Sequence, residues 1–261
     1  FGRGRAWMTP FFLGVERLFN RAGAGILNIS ATLDRQAVEQ YRLAGAQQTF
    51  VLHNAFDLEP YRRVRKDASL RMQWGIPRKS RVFLMVANFQ RPKNHAGALH
   101  AFALFRQRHP KPDPYLVLAG QGPLEAEIRR QAEESGISGN VVFLGHRKDI
   151  WQVLSGADVF VMSSTSEGTP GALIEALAAR VPSACTDVGG ISDITANGAR
   201  AAMSPPWDDE KLCSAMERAA FEPPDMDAVS DAIAQEYGAH AVAWRLMEHY
   251  ERLWAQVRSF S

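Results

Sequence analysis

Apolar and polar residues alternate along this chain in two rhythms. Short continuous apolar runs stand at 82–87, 115–119, 141–144, 159–162 and 183–186. Runs of this length read as strands buried on both faces. The stretches between them carry helical periodicity and predict helices at about 94–108, 123–135, 149–154 and 170–179. Strand and helix in regular succession predict an α/β fold, a doubly wound parallel sheet covered on both sides. Ahead of this block, Val15, Leu18 and Phe19 predict a helix over 10–21, followed by a strand at 26–30, a helix over 32–44 and a strand at 50–52. Behind it, 208–261 reads as helical, with Val242, Leu246 and Tyr250 on one stripe.

One residue breaks the pattern. In the 170–179 helix Leu173 and Leu177 share a face, and Glu175 lies on the other side among Ala172, Ile174, Ala176, Ala178 and Ala179. A helix without a polar face is covered all round, and a carboxylate there needs hydrogen-bond donors. Two readings stay open: a structural glutamate capping a nearby loop, or a ligand-binding carboxylate. Thr169 is expected to cap this helix, with Pro170 at its first position.

Ligands of open parallel sheets bind beyond the carboxyl ends of the strands, so the loops there are the places to look for chemistry. The first carries Asn88-Phe89-Gln90-Arg91-Pro92-Lys93-Asn94, two cations before a helix start. That combination suits a phosphate, with Lys93 the first choice and Arg91 the second, although either alone also reads as a surface cation. The next has Gly120-Gln121-Gly122-Pro123, whose glycines permit a tight turn against a ligand or a tight turn alone. Gly145-His146-Arg147-Lys148-Asp149 has a backbone that suits the edge of a nucleobase, and His146 reads as a surface residue. The fourth loop holds Glu167, with Gly168 and Gly171 bracketing Pro170 where a helix offers free amides to an anion or to sugar hydroxyls. In the fifth, Asp187-Val188-Gly189-Gly190 makes a turn and Ser192 is placed to cap the following helix.

Composition narrows the picture a little. A chain of 261 residues that is 46% hydrophobic buries a sizeable core in one large domain or two small ones. Its net charge of +2 gives no global argument for nucleic acid. The run Arg62, Arg63, Arg65, Lys66, Arg71 reads as a solvated face or a linker, without the aromatic platform of a nucleic-acid site. Cys185 and Cys213 lack metal-ligand spacing, and a reducing compartment is expected. No stretch is long enough to span a bilayer. The basic, apolar segment 1–25 has two readings, contact with an anionic membrane surface or packing against protein. Opening on Phe1 without a signal-peptide pattern, the chain reads as a processed or excised piece of something longer.

Taken in order, these motifs resemble the nucleotide-binding half of the GT-B glycosyltransferases, specifically the large retaining family four, the glycosyl transferases group 1. His53-Asn54-Ala55-Phe56-Asp57 looks like that family's crossover into its second domain, and Lys93-Asn94 like its donor-phosphate lysine. Gly120-Gln121-Gly122-Pro123, Val142-Phe143-Leu144-Gly145 and Ala157-Asp158-Val159-Phe160-Val161 follow in the family's order. Glu167-Gly168 and Glu175-Ala176 stand seven residues apart, as the family has them, and Asp187-Val188-Gly189-Gly190 comes in register. The chain departs from the family at Ala87-Asn88-Phe89, where an arginine is usual and Arg91 is the stand-in, and at Arg180-Val181-Pro182, where glycine is common.

The resemblance implies a Rossmann-like sheet, the C-terminal half of a GT-B fold. Residues 1–48 would be the remnant of an acceptor domain and 49–235 the donor domain. Residues 236–261 would form a helix packing back toward the N-terminal segment. It implies a UDP- or GDP-sugar as donor, a saccharide or lipid-linked acceptor, no metal and no nucleic acid. Polysaccharide or glycolipid assembly in the cytoplasm, with peripheral contact at the inner face of the plasma membrane, would be its setting. Glu175 would accept from the ribose hydroxyls, Glu167 would face the sugar, and Lys93 would neutralise the departing diphosphate. The donor set would comprise Arg91, Lys93, Gly120, Gly122, Arg147, Glu167, Gly168, Thr169, Pro170, Gly171, Ala172 and Glu175, with Glu167 and Lys93 catalytic. Two competitors remain at this stage. One is a module that binds nucleotide-sugar without turnover. The other is a nicotinamide-binding domain, which the lack of a Gly-x-Gly-x-x-Gly turn after the first strand disfavours.

Overall fold

A computed structural model describes residues 26–43, 45 and 49–259. The chain falls into two units, one made of the described residues up to Phe56 with those from Glu236 onward, the other of Asp57–Gln235.

In the first unit, β1 (Ile26–Asn28) pairs in parallel with β2 (Thr49–Val51). The helix Ala31–Arg35 passes into a π-helical turn at Gln36–Gln40, shorter than the 32–44 helix expected. Asp34 ties it to both strands, accepting from Asn28 Nδ2 at 2.8 Å and Thr49 Oγ1 at 3.3 Å. The last helix, Ala239–Ser259, stacks His249 on Phe50 with ring centroids 3.4 Å apart. The expected apolar stripe holds in part: Val242 is buried, whereas Tyr250 is 58% exposed. The helix expected over 10–21 lies outside the described residues.

The second unit is the parallel sheet. Its strands are β3 (Val82–Val86), β4 (Tyr115–Ala119), β5 (Val141–Gly145), β6 (Val159–Met162), β7 (Ser183–Thr186) and β8 (Ala202–Ser204). They run in the order β5-β4-β3-β6-β7-β8, every pair parallel. Val82, Phe83, Leu84, Val159, Phe160 and Val161 are fully buried, which is why these runs carry no polar alternation. Helices His95–Arg108, Glu125–Glu134, Ile150–Ser155 and Gly171–Ala178 occupy the connections. The expected helical tail over 208–261 resolves into Asp209–Phe221, Met226–Tyr237 and Ala239–Ser259, with a break at 222–225 between the first two. The order in which strands are added reverses between β3 and β6, and the crevice at that switch point is where such sheets take their ligands.

The basic run is not wholly solvated. Arg71 is buried, and its guanidinium donates to Gly156 O at 2.9 Å, Ser80 O at 2.8 Å and Asp158 Oδ1 at 2.8 Å. Asp158 in turn accepts from Val82 N at 2.9 Å, so Arg71 braces the amino ends of β3 and β6. Arg71→Ala removes a donor from the Asp158 carboxylate and leaves two carbonyls without theirs, and is expected to cost about 2 kcal/mol in urea unfolding, with an unchanged m-value.

Candidate functional site

The switch point brings two loops together. After β3 a short 3-10 turn, Arg91–Lys93, leads into helix His95–Arg108, whose cap is Asn94 in the left-handed region at φ 47°. Asn94 Oδ1 accepts from Gly97 N at 3.2 Å, a side-chain cap that only a short polar residue supplies in that conformation. After β6, Ser163 Oγ reaches across to Lys93 O at 3.0 Å and Asn94 O at 2.8 Å, and Thr165 N donates to Pro92 O at 2.8 Å. These bonds fix the backbone of the β3 loop from the β6 side.

On that frame Lys93 Nζ stands 2.6 Å from Glu167 Oε1. Ser164 Oγ donates to the same oxygen at 2.6 Å. The Glu167 side chain is only 8% exposed, and the Lys93 side chain 29%. Both bonds fall on Oε1, so the lone pairs of Oε2 are left for a ligand, and an ammonium with three protons keeps donors for one as well. The two residues named catalytic from sequence are therefore adjacent.

Helix Gly171–Ala178 begins one residue later than expected. Pro170 occupies the cap position and makes no side-chain cap bond. Thr169 does not cap; its Oγ1 is buried without a hydrogen-bond partner. Leu173 N and Ile174 N close onto Pro170 O, so Gly171 and Ala172 present the amides that a helix start leaves without an internal acceptor. Gly168 O accepts from Gly190 N at 3.1 Å, docking the β7 loop onto this one.

Gly189 makes that docking possible. Its φ is 59°, and a Cβ there would lie 1.8 Å from Glu167 O. Gly189→Ala is expected to destabilise by about 2 kcal/mol or more and to displace the Glu167 backbone, measurable as a lower urea midpoint together with weaker nucleotide binding.

Glu175 has a partner that sequence alone did not disclose. Its carboxylate lies near the phenol of Tyr61, in the helix Glu59–Arg62, which packs against Gly171–Ala178. Burial raises the carboxyl above its ordinary value, and the nearby Tyr61 hydroxyl works the other way. Burial, and then the Glu175 charge, push the Tyr61 phenol well above its usual value. The neighbours Leu173, Ile174, Ala176 and Leu177 are fully buried, as a helix without a polar face requires. The carboxylate oxygens keep lone pairs for a ligand.

The remaining sequence candidates lie around this centre. A Cβ on Gly120 would fall 1.9 Å from Ala87 O, and one on Gly122 would fall 2.5 Å from Phe89 O. These glycines let the β4 loop run against the β3 loop, where Phe89 N donates to Gln121 O at 3.0 Å. Arg147 is held by Asp149, Nε to Oδ1 at 2.9 Å, and this bond lowers the Asp149 carboxyl. Arg91 is exposed and lines a cavity with Gln90, Asn94 and His95. His95 is buried and is held neutral by desolvation, its pKa lowered to about 4. Among the described residues no cluster of three or more His, Cys, Asp or Glu is placed to hold a metal ion, and no helix is long and apolar enough to cross a membrane.

Comparison with known proteins bears on this arrangement. A model of the family described as glycosyl transferases group 1 matches residues 66–235. The 2-deoxystreptamine glucosyltransferase of Streptomyces kanamyceticus is 26% identical over 259 residues, 95% of this chain and 66% of that protein. An Escherichia coli UDP-Gal:alpha-D-GlcNAc-diphosphoundecaprenol alpha-1,3-galactosyltransferase is 28% identical over 149 residues, 56% of this chain and 38% of its own length. Among solved structures, Anabaena Alr3699/HepE in complex with UDP superposes with a TM-score of 0.79 at 20% identity, covering 92% of this chain and 67% of that one. The chain thus spans about two thirds or less of the length of these relatives.

Proposed function

This chain belongs to the glycosyl transferases group 1 family, and on that premise we propose that its second unit binds a nucleotide-diphosphate sugar in the crevice between the β3 and β6 loops. In this reading the protein transfers the sugar to a saccharide or lipid-linked acceptor with retention, in polysaccharide or glycolipid assembly. The donor domain is the second unit, 57–235 rather than 49–235, because Thr49–Val51 pairs with Ile26–Asn28 in the first; residues 1–48 belong to an acceptor-binding domain, with 236–261 packing back toward it. Its setting is the cytoplasm, with peripheral contact at the inner face of the plasma membrane. The observation that carries the reading is the Lys93–Glu167 pair at the topological switch point, beside the open amides of helix Gly171–Ala178.

The chemistry follows from those groups. The bond from the anomeric carbon to the diphosphate breaks, and the acceptor oxygen takes its place on the same face. The acceptor proton leaves on the phosphate. Charge gathers on the diphosphate oxygens, where the Lys93 ammonium and the Gly171 and Ala172 amides stabilise it more than they stabilise the bound donor. Arg91 extends this cationic rim, and no metal ion enters the reaction. Glu167 Oε2 and the unpartnered Thr169 hydroxyl suit the hydroxyls of the sugar. Glu175 holds the ribose, while Gly120, Gly122 and Arg147 border the base, a uracil or a guanine. UDP in the HepE structure supports a uracil nucleotide.

A thermal-shift series with UDP, GDP, their sugars and NAD tests the reading, because a ligand that binds only the folded state raises its melting temperature. A shift with UDP or GDP and none with NAD is expected. A shift with NAD alone overturns it.

A further inference from the structure

We propose that the cavity walled by Trp207 and the 90–94 loop is a second saccharide-binding site, distinct from the donor crevice, with which it shares that loop. The inference rests on the proposed function only in supposing that the protein handles saccharides. Trp207 lies between β8 and helix Asp209–Phe221, and its φ is 65°. A bulky residue in the left-handed region is strained, and such strain persists where a side chain is needed in one place. Core packing is not the reason, because the residue is 74% exposed.

The indole instead forms one wall of a cavity of about 220 Å³. Gln90, Arg91, Glu127 and Gln131 supply polar groups around it, and His95 lies within, 3% exposed and with neither ring nitrogen hydrogen-bonded. An unpartnered buried imidazole calls for a polar guest. A neutral imidazole offers one donor and one acceptor, the same pairing that a sugar hydroxyl offers. The face of an indole is electron-rich and attracts the weakly positive C–H groups of a pyranose ring. Glu127 in the wall disfavours a phosphate, and the mixed polar side chains disfavour a purely apolar ligand. An aromatic platform beside amide, carboxylate and guanidinium groups is the chemistry of a neutral sugar.

The test uses the full chain labelled with 5-fluorotryptophan, the Trp207 resonance being assigned by its loss in Trp207→Phe. Maltotetraose, cellotetraose and chitotetraose are titrated to about 10 mM, the range of weak single-site binding, and UDP is titrated separately. At least one oligosaccharide is expected to move the Trp207 resonance. Trp207→Gly relieves the backbone strain, so it is expected to melt higher than the parent while binding that saccharide at least tenfold more weakly. A site with only a structural role would not separate these two readouts. No shift with any of the three, a shift with UDP instead, or undiminished binding by Trp207→Gly overturns the proposal. Saccharide binding without UDP binding upholds it while contradicting the donor-crevice reading, and UDP binding alone does the reverse.

Discussion

Lys93→Ala is expected to lower turnover of a nucleotide-sugar by about a hundredfold to a thousandfold, the loss seen when one fixed electrostatic stabiliser of a transition state is removed. The size follows from position. Lys93 sits at the end of the Arg91–Lys93 turn, its carbonyl is held by Ser163, and its ammonium is only partly exposed beside a nearly buried carboxylate. A cation fixed before the reaction does not have to reorganise as charge reaches the diphosphate. The same substitution leaves Glu167 without its counterion, so some stability is lost as well. The double variant Lys93→Ala with Glu167→Gln separates the two effects. It is expected to recover the urea midpoint without recovering turnover. Recovery of both would make Lys93 a partner of Glu167 alone.

Glu175→Gln carries the second large effect. Losing charged hydrogen bonds to the ribose is expected to weaken nucleotide binding by about tenfold to a hundredfold. Without ligand the sign reverses. Burial raises the Glu175 carboxyl in the folded state, so the folded protein holds its proton to higher pH than the unfolded chain does. The stabilisation this gives is fully present below the ordinary value of 4.5 and is lost as pH rises through the folded value. Glutamine has no such titration. The urea midpoint of Glu175→Gln is therefore expected to gain on the parent as pH rises through that window, and parallel profiles would remove the buried-carboxylate account. A variant that is more stable empty yet binds nucleotide more weakly distinguishes a ligand-binding carboxylate from a loop cap.

Much of this was legible in the sequence because burial on both faces writes itself as continuous apolar runs. The five runs from 82 to 186 became β3 to β7. The sixth strand, Ala202–Ser204, was missed: three residues without a branched or aromatic side chain give no periodic signal. Loop placement was readable too, since chemistry collects at the carboxyl ends of parallel strands. What the sequence could not give were contacts made by topology. Lys93 and Glu167 are 74 residues apart and meet only because β3 and β6 are neighbours. Tyr61 lies in a basic run that reads as surface, and nothing local ties it to Glu175. Arg71, in the same run, is buried because distant carbonyls and Asp158 surround it. The cap of helix Gly171–Ala178 was misread because proline at a helix start fits the cap position as well as the one after it.

The most direct measurement is a crystal structure of the chain soaked with UDP. The account predicts the diphosphate within hydrogen-bond distance of Lys93 Nζ and of the Gly171 and Ala172 amides, with a ribose hydroxyl on Glu175. UDP bound away from the β3–β6 crevice, or bound there with the Lys93–Glu167 pair untouched and the ribose directed away from Glu175, would contradict it.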